Sequence, residues 1–72
     1  MALDFPRFCK AFGRHVRTLR EARHLTQEDM MDLGFSLRHY QRIEAGRSVT
    51  LRTMWKLAKA FKVQPQEILP PS

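Results

Sequence analysis

Apolar residues return along this chain every three or four positions, the period of a helix that buries one side. Phe5, Phe8, Phe12, Val16 and Leu19 fall within an arc of about 80° and predict a first helix, with Asp4 as its cap. Pro6 suits the first turn, where a missing N–H has no helical partner to lose. Gly13 lies inside this helix and is expected to weaken it modestly. Thr26 opens a second segment with Asp29 three residues on, so that hydroxyl and carboxyl can satisfy each other's orphan amides. The second helix is expected from about Gln27 to Leu33. Gly34 ends it, and Ser36 caps the next after a connection of about three residues.

The third segment, about Leu37 to Ala45, closes at Gly46 and has two unlike faces. Tyr40, Ile43 and Glu44 point one way, while Arg38, Gln41 and Arg42 cluster within about 100° on the other. Thr50 caps a fourth helix whose expected inward stripe is Leu51, Met54, Ala58 and Phe61. Trp55 flanks that stripe, and both a core position and a dimer contact suit it. Pro65 opens a brief fifth helix ending near Leu69, and Pro70, Pro71 and Ser72 form a proline-rich tail. The expected fold is all-α, a compact five-helix bundle forming one domain over residues 1–72, with no internal repeat.

Composition narrows the function. A chain of 72 residues is too short for a two-domain enzyme, and its 43% apolar content permits a packed core. Thirteen Lys plus Arg against seven Asp plus Glu give a net charge of +6, which draws the chain to a polyanion. Cys9 is the single cysteine, so no intrachain disulfide forms; it is expected to pack as a small hydrophobe. His15, His24 and His39 have no carboxylate or cysteine at a coordinating spacing, so no metal, cofactor or catalytic role is expected. No apolar run approaches the ~20 residues that span a bilayer, and Met1 to Phe5 lacks a basic segment followed by an apolar core. The simplest expectation is a cytoplasmic, nucleoid-associated protein.

A short helix, a glycine turn and a second helix with a polar outward face, together about residues 26–45, make the helix-turn-helix arrangement that places a helix in a DNA major groove. Arg38 and Arg42 can each bind guanine through two hydrogen bonds, Gln41 can pair with adenine or a phosphate, and Leu37 can pack on a thymine methyl. The amides at the start of the second helix, reinforced by Gln27, can hold a phosphate, and His39 can touch another. The plainer reading of any outward arginine is a solvated surface. That reading is the default for Arg14, Arg17 and Arg23 on the first helix, whereas Arg38 and Arg42 sit where the motif meets bases.

With Leu19-Arg20, Leu25-Thr26-Gln27-Glu28, Gly34-Phe35-Ser36, Tyr40-x-Arg42-Ile43-Glu44-x-Gly46 and Leu57-Ala58-x-Ala60-Phe61-x-Val63, the chain resembles the Cro/cI-type, Xre-like helix-turn-helix domains of phage repressors and bacterial regulators. The resemblance spans roughly Phe12 to Leu69. It implies a lambda-repressor-like five-helix fold, double-stranded operator DNA as ligand, and a homodimer on a palindromic site. Position by position it puts base readout on Ser36, Leu37, Arg38 and Arg42, phosphate contacts on Thr26, Gln27 and Arg47, and a structural ion pair on Arg20 and Glu44. Periodicity independently turns Glu44 inward, where a carboxylate needs a partner.

Three departures stand out. One residue fewer separates the second-helix glutamine from the turn glycine, His24 stands where a glycine often ends the first helix, and Ala45 replaces a polar residue. The leading expectation is a repressor-type transcriptional regulator. The same domain serves antitoxins, which bind a toxin partner, and restriction-modification controllers; a protein-interaction adaptor with an acidic partner is the alternative of another class.

Overall fold

In the computed structural model, which describes residues 4–71, three α-helices and two single turns of 3-10 helix enclose one core. The helices are α1 (Phe5–Ala22), α2 (Leu37–Glu44) and α3 (Leu51–Phe61); the 3-10 turns are Glu28–Met31 and Pro65–Ile68. The expected five-helix bundle is therefore corrected to three helices, and no strand occurs among the described residues. Ser72 of the expected tail, and residues 1–3 on which the reading of the N-terminus partly rested, lie outside the described residues.

Local bonding explains why two expected helices shrink to turns. Thr26 and Asp29 cap each other, the Thr26 amide donating to the Asp29 carboxylate at 2.8 Å and the Asp29 amide to the Thr26 hydroxyl at 3.1 Å. At the other end Phe35 N–H already returns to the Met30 carbonyl and Gly34 N–H to that of Met31. Only Glu28–Met31 remains between these stops, and its amides close three-residue loops, as from Met30 to Gln27 and from Asp32 to Asp29. Pro65–Ile68 is confined in the same way: the Gln64 amide donates to the Glu67 carboxylate at 2.7 Å, and prolines stand at 65 and 70.

The three helices begin as their sequences dictate. Asp4 accepts from the Arg7 amide, Ser36 from that of His39, and Thr50 from that of Thr53. Their ends share one device. A residue in the left-handed conformation follows α1, the first 3-10 turn, α2 and α3, and the next amide reaches back five residues: Leu25 to Arg20, Phe35 to Met30, Arg47 to Arg42, Val63 to Ala58. Gly34 and Gly46 serve at two of these ends; His24 and Lys62 adopt φ of 57° and 58° at the others.

Every element sends side chains to the core: Phe12 and Val16 from α1, Met30, Phe35 from the turn, Tyr40 and Ile43 from α2, Leu57 and Phe61 from α3, and Ile68. Two expected core positions, Leu51 and Phe5, are corrected, and Leu57 joins the core instead. Leu51 is 80% exposed and Leu57 is fully buried, because Leu57 lies within about 40° of Phe61 around α3 while Leu51 lies about 80° away at the edge of the stripe. Phe5, at the first residue of α1, also projects into solvent, and Trp55 is 55% exposed rather than packed in the core. Cys9 is buried.

Gly13 is where α1 crosses α2. A Cβ there would stand 2.6 Å from the Ile43 carbonyl oxygen and 2.7 Å from that of Glu44, closer than real Cβ contacts come. The residue whose helix propensity is poor is the one that lets α2 lie against α1. Two further side chains tie the elements together. Arg23, expected as a solvated cation, donates to the carbonyls of Phe61 at 3.0 Å and Leu19 at 2.8 Å and stacks over the Phe61 ring. His15 bonds the Glu67 carbonyl at 2.8 Å, fastening the last turn to α1.

Candidate nucleic-acid interface

The inner face of α2 rests on a buried ion pair. Arg20 Nε donates to Glu44 at 2.7 Å and a second guanidinium nitrogen donates at 3.3 Å, the fork geometry that suits a carboxylate. The side chains are 10% and 6% exposed. A third donor on Arg20 reaches the Leu25 carbonyl, so the guanidinium also secures the chain after α1. Burial works to raise the Glu44 pKa, but hydrogen bonds from Arg20 and Gln27 outweigh it and hold the carboxyl below its usual range. Burial pushes the Tyr40 phenol far above its ordinary value, with the Glu44 carboxylate adding to the effect. The Tyr40 hydroxyl therefore stays protonated beside the pair.

From this pair a chain of amides runs outward. Gln27 Nε2 donates to Glu44 at 3.0 Å, and Gln41 Nε2 donates to Gln27 Oε1 at 3.3 Å. Gln41 is exposed, and one amide hydrogen and its carbonyl oxygen remain to face outward. The buried charge thus fixes the orientation of a side chain on the surface.

The outer face carries donors that the fold leaves free. Arg38, His39, Gln41, Arg42 and Ser36 are exposed, and Leu37 is half-buried. A shallow groove of about 430 Å³ runs beside α2, lined by Ser36, Arg38, His39 and Arg42 and closed by Arg47 and Ser48 from the connection to α3. Ser48 lies in the stretch after Gly46 from which the sequence singled out only Arg47; no periodicity marks a single loop residue. Sequence reasoning also passed over the Gln27 to Gln41 bond, which joins two elements fourteen positions apart.

The remaining predicted contacts are less free than the sequence implied. The Thr26 amide is committed to Asp29, so its contribution to a phosphate would be its hydroxyl hydrogen. Gln27 turns its amide nitrogen inward to Glu44. Glu28 and Asp29 occupy the same turn and oppose an anion there. Arg38, Arg42 and Arg47 therefore hold most of the positive charge around the groove. Among the described residues no group of His, Cys, Asp and Glu could hold a metal ion, and no helix is long and apolar enough to cross a membrane.

A helix-turn-helix family model, HTH_3, matches residues 16–68, and the chain belongs to that family. Two solved structures share its fold. The restriction-modification controller protein C.AhdI from Aeromonas hydrophila is 33% identical, the match covering 85% of this chain and 96% of that one, with a TM-score of 0.79. An HTH_3 family transcriptional regulator from Vibrio cholerae is 25% identical over 90% of this chain and 38% of its own length, with a TM-score of 0.83. No curated protein matches. The chain is a DNA-binding regulator of the helix-turn-helix type.

Proposed function

We propose that the protein is a repressor-type transcriptional regulator that binds operator DNA as a homodimer, each subunit laying α2 in the major groove. The observation that carries this reading is the division of α2 into an anchored inner face and an outer face whose exposed arginines, Arg38 and Arg42, make no ion pair among the described residues. Arg38 and Arg42 bind guanine edges, Gln41 presents its outward carbonyl and amide hydrogen to adenine, and Leu37 and Ser36 fit the margin of the same base steps. Arg47, Thr26 and His39 contact phosphates and set the register. No step of this function is catalytic.

The similarity to a restriction-modification controller along nearly its whole length favours a second, narrower reading: a controller of a restriction-modification operon. Selection of bound sequences from a random duplex pool tests both. A palindromic consensus is expected, with Arg38→Ala relaxing preference at one position in each half-site and costing about 1–3 kcal/mol. Unchanged preference in that variant overturns the readout. A consensus recurring upstream of restriction and modification genes selects the narrower reading.

A further inference from the structure

Apart from Lys10 and Arg14 on α1, the exposed cations that make no ion pair among the described residues gather in two places, and only one belongs to the groove beside α2. The other is on α3. From Leu51 to Lys62 the chain has no acidic residue and carries Arg52, Lys56, Lys59 and Lys62. These four, with Leu33 and Trp55, line a shallow groove of about 510 Å³ that shares no residue with the one lined by Arg38 and Arg42. Among the described residues the ion pairs are Arg7–Asp4, Arg17–Glu21 and Arg20–Glu44, so none involves this cluster. Lys56 is turned inward, over the Phe35 ring at 4.5 Å and onto the Gly34 carbonyl. Arg52, Lys59 and Lys62 remain, with Lys59 lying 5.2 Å from the centre of the Trp55 ring.

Trp55 is the only tryptophan in the chain and stands half in solvent beside Leu33, itself 38% exposed. Exposed tryptophan ringed by charge is the composition of a binding hot spot, in which an apolar centre is sealed by a polar rim. A single-signed rim selects the opposite sign. A DNA backbone answers the cations but has no apolar surface to cover Trp55 and Leu33, whereas a protein segment answers both. We propose that this face of α3 docks an acidic protein segment, its carboxylates on Arg52, Lys59 and Lys62 and an apolar side chain between them on Trp55 and Leu33. Because the two grooves share no lining residue, such a partner engages the regulator while α2 remains free to read DNA.

Trp55 emission reports on the site directly. The full chain is titrated with a short synthetic peptide of Glu and Leu, with its Gln and Leu counterpart, with duplex of random sequence, and with vesicles of anionic phospholipid. The acidic peptide should give a saturable blue shift, the uncharged peptide none. The charge reversal Lys59→Glu with Lys62→Glu should weaken acidic-peptide binding by about tenfold or more and admit a peptide of Lys and Leu instead, with the ratio of operator to random-duplex affinity retained. Equal response to the charged and uncharged peptides overturns the proposal, as does indifference to the charge reversal. A shift that saturates only with duplex or only with vesicles also overturns it, in favour of a second nucleic-acid surface or a lipid surface. Loss of operator preference by α2 variants leaves this test untouched.

Discussion

The two faces of α2 are built on opposite rules. On the inner face the charged groups are spoken for: Glu44 accepts from Arg20 and Gln27, and the backbone at Ile43 and Glu44 lies against Gly13, while the buried Tyr40 hydroxyl alone lacks a partner among the described residues. On the outer face Arg38 and Arg42 make no ion pair among the described residues. Rigidity on one side is what gives the free donors on the other a defined direction, since a contact to a base edge is lost when its donor wanders. Substitutions on the inner face should therefore change stability, and those on the outer face affinity and preference.

The largest effect is expected from Glu44→Ala, which strands a buried guanidinium and releases Gln27. Thermal unfolding should show a loss of about 3–5 kcal/mol, and an unchanged Tm would mean that the pair contributes nothing. Gly13→Ala follows. Helix propensity alone predicts a gain of about 1 kcal/mol, but the collision with two carbonyl oxygens predicts a net loss of about 1–3 kcal/mol, so the sign of the change decides between propensity and packing.

Acid provides the next test. The Glu44 carboxyl is held below its ordinary value near 4.5, so its contribution is complete above that pH and is lost as pH falls through the lower, folded-state value. Glu44→Gln should flatten that decline in Tm. At the other extreme the raised Tyr40 phenol opposes ionisation, so stability should fall as pH climbs past about 10. The smallest effect belongs to Arg47→Ala, which should leave Tm unchanged, weaken all duplexes alike, and reduce the slope of log affinity against log salt by about 1.

How much of this could be read in the sequence depends on how local the cause is. The caps at Asp4, Ser36 and Thr50, the reciprocal pair of Thr26 and Asp29, and the two faces of α2 follow from residues within one or two turns of each other, and all were legible. The ends of the shortest segments were not. A cap at one end and a reversal at the other can each be recognised, yet whether enough residues remain between them for an α-helical turn is decided only when both close together. Leu51 falls outside the core and Leu57 inside it because a stripe drawn from spacing alone is uncertain by a fraction of a turn; only packing into the common core with Phe12 and Ile68 fixes its centre.

The long-range features were the least accessible. Gly13 reads as a flaw in α1 until α2 is placed on it, and Arg23 as a surface charge until the Phe61 carbonyl arrives beside it. Within the groove the arginines were legible because the motif assigns them a direction. The inward turn of Gln27 was not, because its two partners, Gln41 and Glu44, lie fourteen and seventeen positions away on another element, beyond the reach of local periodicity.

The shared manner in which the chain reverses, at His24, Gly34, Gly46 and Lys62, bears on how quickly the molecule assembles. Each reversal is settled by a bond spanning only five positions, so the path of the backbone is largely drawn before distant parts meet. Little loop-closure entropy then stands in the way, and the protein should fold in microseconds to milliseconds, the range of small helical domains.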